Sequence, residues 1–254
     1  MAVAAPRGTA AIRAEGLHRR FGPVVALDGL DLEVPQGEAV AIVGPSGCGK
    51  STLLELLAGL QKPDAGRVVG GAESCAFMPQ SDLLLPWRDA LANAALALEC
   101  SGASKGEARR AAAPLFERFG LNDFERAYPR ELSGGMRQRV AFLRTLLAGR
   151  PALLLDEPFG ALDSITRASM QEWLAGALVD EPRTLVLVTH DVEEALYLAD
   201  RVAIMSPRPG RVLGEIDVPI ARPRPRRATI TSPEFAALEK LALDALEGEG
   251  VPVP

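Results

Sequence analysis

The sequence predicts an α/β fold with a mainly parallel core sheet, an N-terminal antiparallel β region and a helical insert. Three observations predict it. An apolar run, Ala39 to Val43, leads through a glycine-rich loop into leucines at helical spacing from Lys50 to Leu60. Residues 88–149 are rich in Ala, Leu and Arg and poor in β-branched residues, which marks a helical insert. Beyond them an apolar strand at Ala152 to Leu155, a helix around Ser164 to Val179, a strand at Thr184 to Val188 and a helix around Val192 to Ala199 alternate as parallel strands with crossover helices do.

The remaining elements follow from their punctuation. Residues 11–43 carry short, partly alternating apolar segments broken at Gly22-Pro23, Asp28-Gly29 and Pro35-Gln36-Gly37, a reading of strands and tight turns. Gln61 to Gly66 is a turn, and a further short strand holds Val68 and Val69. This gives a flexible N-terminus over 1–10, one cassette over 11–220 with its insert at about 88–149, and a connector with a C-terminal helix over 221–254. The run Arg222-Pro223-Arg224-Pro225-Arg226-Arg227 resists helix formation, since each proline lacks an N–H and restricts its predecessor. It reads as an exposed connector, its arginines either solvated or set against anionic lipid headgroups. Phe235, Leu238, Leu241 and Ala242 share one helix face, expected to dock on the same domain. No internal repeat is evident.

The chain has 254 residues, 48% of them apolar, enough to bury a sizeable core. Its net charge of −5 supplies no basic field for nucleic acid. No apolar run reaches the ~18 residues a membrane span requires. Met1 to Thr9 lacks the sustained apolar core of a secretory signal. Three cysteines without framework spacing predict no disulfide, and the expected compartment is the cytoplasm.

The chemistry lies in three motifs. Gly44-Pro45-Ser46-Gly47-Cys48-Gly49-Lys50-Ser51-Thr52 fills every fixed position of a phosphate-binding loop between strand and helix. Its glycines let backbone N–H groups converge on phosphate oxygens, Lys50 supplies a mobile cation, and Ser51 offers a hydroxyl to Mg²⁺. The ligand this implies is ATP. At the end of the apolar run Leu153-Leu154-Leu155, Asp156 suits the Mg²⁺ shell and Glu157 is placed to polarise an attacking water. Between these motifs, Leu132-Ser133-Gly134-Gly135-Met136-Arg137-Gln138 opens a helix, and Ser133 reads either as a helix cap or as part of a second anion site. Cys48, near Lys50 and a helix N-terminus, is either a reactive thiol or a small filler.

Taken in this order, the phosphate loop, the Leu132 to Gln138 segment and the Leu153 to Glu157 strand resemble the ATP-binding subunits of ABC transporters. The resemblance runs over roughly residues 11–215 and includes Gln80, Ala161-Leu162-Asp163 and His190. It implies a P-loop NTPase of the ABC cassette type that hydrolyses ATP with Mg²⁺ as a head-to-tail homodimer. It further implies that Ser133, Gly134, Gly135 and Gln138 meet the γ-phosphate in trans and that Gln80 senses Mg²⁺ and attacking water. His190 would contact the γ-phosphate, and Asp163 would communicate between the two sites. Phe21 occupies the place of an adenine-stacking aromatic, with core packing as the alternative. The chain departs from the family at Met136, where glutamine is frequent, and at Gly160, where serine is common.

Leu85-Pro86-Trp87, the Thr189 to Leu196 run and Ser206-Pro207-Arg208-Pro209-Gly210-Arg211 look most like the nitrate, sulfonate and taurine import subfamily. The implied setting is the cytoplasmic face of the cell membrane, with two membrane-spanning permease subunits and, indirectly, a secreted substrate-binding protein. Leu84, Leu85 and Trp87 would line the groove for the membrane subunit, burial in the insert being the alternative. A thiamine-precursor pyrimidine is the alternative cargo. A soluble ATPase acting on DNA or ribosomes is the alternative class.

Overall fold

In a computed structural model, residues 10–71 and 74–248 are described. The flexible segment expected over 1–10 therefore lies, but for Ala10, outside the described residues. In chain order the elements are β1 (Ala10–Phe21), β2 (Val24–Pro35), β3 (Ala39–Val43), α1 (Lys50–Leu57), β4 (Ala65–Gly70) and β5 (Cys75–Met78). There follow α2 (Ala90–Ala94), α3 (Leu96–Cys100), α4 (Lys105–Arg118) and α5 (Gly134–Leu146). The chain continues with β6 (Ala152–Asp156), α6 (Ser164–Asp180), β7 (Thr184–Val188), α7 (Val192–Leu198), β8 (Arg201–Met205) and β9 (Val212–Asp217). It finishes with α8 (Arg226–Ile230) and α9 (Pro233–Glu247).

Six strands form one sheet in the order β5-β6-β7-β3-β8-β9, parallel except for the β8–β9 pair. Strand β3 is buried throughout and serves two cores, because successive side chains point to opposite faces. Ala39, Ala41 and Val43 join the core shared with the insert and the C-terminal helices. Val40 and Ile42 join a second core with Leu53, Leu54 and Leu57 of α1 and Leu17, Leu27 and Leu30 of the N-terminal sheet. That sheet is antiparallel, in the order β2-β1-β4. The phosphate loop is thus rooted between two packed layers.

Several sequence expectations are corrected. Asp28-Gly29 does not end a strand: β2 runs through it, with Gly29 at φ +68° and a shift of register against β1 nearby. Helix α1 ends at Leu57 rather than Leu60, closed by Gly59 at φ +71°. Strands β5, β8 and β9 are additions that the sequence reading did not single out.

The Arg/Pro run is not an exposed connector. Its residues alternate in burial, with Arg224 buried and Arg222 and Arg226 half-buried. Arg224 Nη1 donates to the carbonyls of Leu196, Tyr197 and Ala199 at 3.2, 3.0 and 2.6 Å, so it caps the C-terminal end of α7. Arg222 pairs with Asp200 at 2.9 Å, and Arg226 with Glu193. Prolines hold residues 222–225 extended, but the expected resistance to helix fails at Arg226 and Arg227, which open α8. The lipid-binding alternative loses Arg222, Arg224 and Arg226 to these partners, and Arg227 stays exposed. Downstream, Phe235 and Ala242 of α9 are buried, Leu238 and Leu241 partly so, with α9 against α7 and β8.

Candidate functional site

A cleft of about 600 Å³ is lined by Phe21, Val24 and Ala26, by the phosphate loop, and by Gln80, Glu157 and His190. The loop leaves the carboxyl end of β3 and turns into α1 through Gly49, at φ +109°. A Cβ at Gly49 would lie 2.8 Å from Leu27 Cδ2 and 2.9 Å from the Ala26 carbonyl, so this turn requires glycine. Lys50 is buried, its Nζ donating to the carbonyls of Gly44 at 2.7 Å and Pro45 at 3.0 Å. With the Cys48 sulfur at 3.8 Å as a third, weak acceptor, the ammonium is held inside the loop by groups that a phosphate anion would outcompete.

Of the loop residues named from the sequence, Ser46, Gly47, Gly49, Lys50, Ser51 and Thr52 line the cleft. Gly44, Pro45 and Cys48 do not: Gly44 is packed beneath, 3.0 Å from Met205 to its would-be Cβ. Cys48 is 1% exposed, which favours the small-filler reading over the reactive thiol. Phe21 is 44% exposed at the cleft mouth with the Arg19 guanidinium 4.7 Å from its ring centroid, so it is not a core phenylalanine.

Within this lining three separate segments meet. Glu157 Oε2 accepts from Gln80 Nε2 at 3.1 Å, and Glu157 Oε1 lies 3.4 Å from His190 Nδ1. Gln80 follows β5, Glu157 follows β6 and His190 follows β7, adjacent parallel strands whose carboxyl ends share one edge. Glu157 has φ +46°, rare for a residue with a Cβ, and its N–H donates to the Val188 carbonyl at 2.9 Å. Such a conformation costs on the order of 1–3 kcal/mol and persists where surrounding structure fixes it.

Next to it, Asp156 is 3% exposed and its Oδ1 has no partner. Burial pushes its carboxyl above the ordinary range, opposed by a hydrogen bond from Ser51 and by the charge of Lys50. A buried, unpartnered carboxylate oxygen beside a hydroxyl is a donor set suited to a hard divalent cation. The residues present therefore fit Mg²⁺.

Ser133, Gly134, Gly135, Gln138 and Asp163 do not line this cleft. Ser133 and Gly134 are exposed, and Ser133 Oγ accepts from the Met136 N–H at 3.2 Å, the cap geometry of an α5 N-terminus. Gly135 packs close to Leu162, with 3.2 Å from its would-be Cβ to Leu162 Cδ2. Asp163 caps α6, accepting from the N–H groups of Ile165 and Thr166 at 3.1 and 3.0 Å, which lower its carboxyl. Gln138 departs from expectation: it is 4% exposed, on the inward side of α5, and is not presented with Ser133.

Residues 27–160 match the family described as ABC transporter. The chain belongs to that family. As an ABC-family ATPase it is 45% identical over 247 residues to the aliphatic sulfonates import ATP-binding protein SsuB 1 of Mesorhizobium japonicum, covering 95% of this chain and 90% of that one. It is 50% identical over 194 residues to the formylaminopyrimidine import ATP-binding protein ThiZ of Halalkalibacterium halodurans, covering 76% and 78%. Among solved structures, the dimeric post-hydrolysis state of the ATP-binding cassette MJ0796 bound to ADP and Pi superposes with a TM-score of 0.74 at 31% identity, covering 83% of this chain and all of that one.

Val24, Ala26 and Arg208 line the cleft without having been named as site residues, and of these Arg208 alone is charged. Arg208 lines the cleft from the loop between β8 and β9, and its Nε and Nη2 donate to the Gly47 carbonyl at 3.1 and 2.9 Å. The signal was the Ser206 to Arg211 motif, read only as a subfamily mark. Parallel pairing of β8 with β3 is what brings that motif beside the phosphate loop.

Proposed function

We propose that this chain is the ATP-hydrolysing subunit of an importer for small solutes, working as a homodimer on the cytoplasmic face of the membrane. The observation that carries it is the meeting of Gln80, Glu157 and His190 in a cleft that the phosphate loop also lines. In this reading adenine stacks on Phe21, the phosphates replace the carbonyls now bound by Lys50, and the γ-phosphate lies beside His190. Glu157 takes the proton of the attacking water, and Gln80 fixes the carboxylate and the water by its amide. Ser51, Asp156 and Gln80 would hold Mg²⁺, which supplies neutralisation of phosphate charge when bound.

Ser133, Gly134 and Gly135 of one copy would close over the γ-phosphate held by the other, and Asp163 would lie at that seam. Gln138, buried in the single chain, would support the same segment from beneath. ATP then favours the closed pair because it touches both chains, and loss of the γ-phosphate lets them separate. Leu83 and Trp87, 63% and 71% exposed, would meet the membrane subunit. Leu84 is buried and Leu85 half-buried, so neither serves as the surface that the sequence reading gave them.

The relatives are named import subunits, which favours the importer over a soluble ATPase acting on DNA or ribosomes. For cargo we favour sulfonate, nitrate or taurine-like solutes, on the relative that spans 95% of the chain. A pyrimidine cargo is the second reading, on the higher identity of the shorter match. Competition among these solutes for uptake by cells with and without this chain separates the two. The catalytic reading is tested by Glu157→Gln: turnover should fall at least about 100-fold while MgATP holds the variant as a dimer in size-exclusion light scattering. Wild-type turnover in that variant would remove Glu157 from the chemistry.

A further inference from the structure

We propose that Arg208 is a second phosphate-binding cation of the nucleotide cleft, beside Lys50. The inference rests on the nucleotide-site reading and deepens it. Three features of the 206–211 loop support it.

The loop is tied closed. Ser206 Oγ donates to the Pro209 carbonyl at 2.9 Å and accepts from the Arg211 N–H at 3.0 Å. It is also tied to β2, since the Gly210 N–H donates to the Ala26 carbonyl at 2.9 Å and the Asp28 N–H donates back to the Gly210 carbonyl at 3.2 Å. A Cβ at Gly210 would run into the Cys48 carbonyl, so the approach of this loop to the phosphate loop depends on glycine. With Pro207 and Pro209 restricting the backbone on both sides, Arg208 is presented from a preorganised tip.

Its charge is unspent. Arg211, three residues on, pairs with Asp28, whereas Arg208 makes no ion pair among the described residues. The two hydrogen bonds to Gly47 use two of five guanidinium N–H groups and leave the rest for an anion. An exposed cation bonded to the backbone of a phosphate loop, inside the cleft, is an element of phosphate recognition rather than of surface charge.

The position selects no particular end of the phosphate chain. Glu157 and His190 face each other at one site, whereas Arg208 is bonded to Gly47 and its loop to Ala26 and Asp28. Arg208 should therefore strengthen ADP and ATP binding alike and leave the turnover of bound ATP little changed.

The experiment measures affinities of the full chain for MgADP and, on a Glu157→Gln background, MgATP, by calorimetry at two salt concentrations. Arg208→Gln keeps an N–H for the Gly47 carbonyl but removes the charge, and should weaken both nucleotides roughly tenfold with a shallower salt dependence. Arg208→Lys keeps the charge and should stay within about threefold of the parent. Equal binding by Arg208→Gln and the parent overturns the proposal, as does an equal loss in both variants, which would make Arg208 a strap for the loop. A loss confined to MgATP overturns its placement. If the parent itself fails to bind MgADP while folded, the nucleotide-site reading fails instead.

Discussion

Glu157 and Glu194 show how one residue type acquires opposite tasks from its surroundings. Glu157 lines the cleft with an amide and an imidazole on its carboxylate. Glu194, on α7, is 4% exposed, and burial pushes it up to about 7, against hydrogen bonds from Gln171 and Thr189 that act the other way. Gln171 Nε2 donates to it at 2.9 Å, and Asp191 and Arg167 oppose each other nearby. The folded chain keeps a proton that the unfolded chain releases near 4.5, so this group's contribution is fully present below about 4.5 and is lost as pH rises through about 7. Glu194→Gln abolishes the titration. Its stability relative to wild type should rise by roughly 3 kcal/mol between pH 4.5 and 8, read from urea unfolding at each pH. A pH-independent difference would show that the carboxylate is ionised in the folded state.

At the scale of the element, the Arg/Pro strap illustrates how prolines that keep residues 222–225 out of a helix still leave two structures open. Composition offered a solvated run, but Arg224 instead satisfies the last carbonyls of α7, and Tyr197 returns a hydrogen bond to the Arg224 carbonyl at 3.0 Å. Desolvation lowers the Arg224 guanidinium to about 10, so it remains charged at neutral pH. Arg224→Ala would leave buried carbonyls without donors. Its cost should be roughly 3 kcal/mol in chemical unfolding, while Arg227→Ala, at an exposed position of the same strap, should stay within about 0.5 kcal/mol. Comparable losses in the two variants would refute the capping role. The α5 N-terminus teaches a related point: Ser133 is a cap in the single chain, and a cap with exposed glycine neighbours is also what an anion arriving from a partner would meet.

For the whole molecule, the insert and the parallel sheet are linked near the cleft by a polar clamp. Arg144 Nη1 and Nη2 donate to the carbonyls of Leu83 and Asp82 at 2.9 and 2.7 Å, and Arg137 Nε pairs with Asp82 at 2.9 Å. The loop that follows Gln80 is thereby fixed to α5, the helix that Ser133 caps, and carries Trp87 on its outer side. This arrangement connects the segment after Gln80 to an exposed surface that carries Trp87. Trp87→Ala should leave ATP turnover of the isolated chain unchanged and lower recovery of the tagged membrane partner at least about fivefold. Undiminished recovery would place the docking surface elsewhere.

Residues 39–57, 132–138 and 152–157 were legible in the sequence because their chemistry is local. A glycine loop between strand and helix, a capped helix start and an acidic strand end each need only neighbouring residues to be recognised. Gln80 and His190 were found by resemblance, since neither carries a local signal. Tertiary structure alone decided which side of each segment faces inward. It buried Leu84 and Gln138, drew Arg224 onto α7, and set Arg208 beside Gly47 through the pairing of β8 with β3. The physical reason is that burial and ion pairing are contests among groups distant along the chain, and their outcome depends on which strands become neighbours.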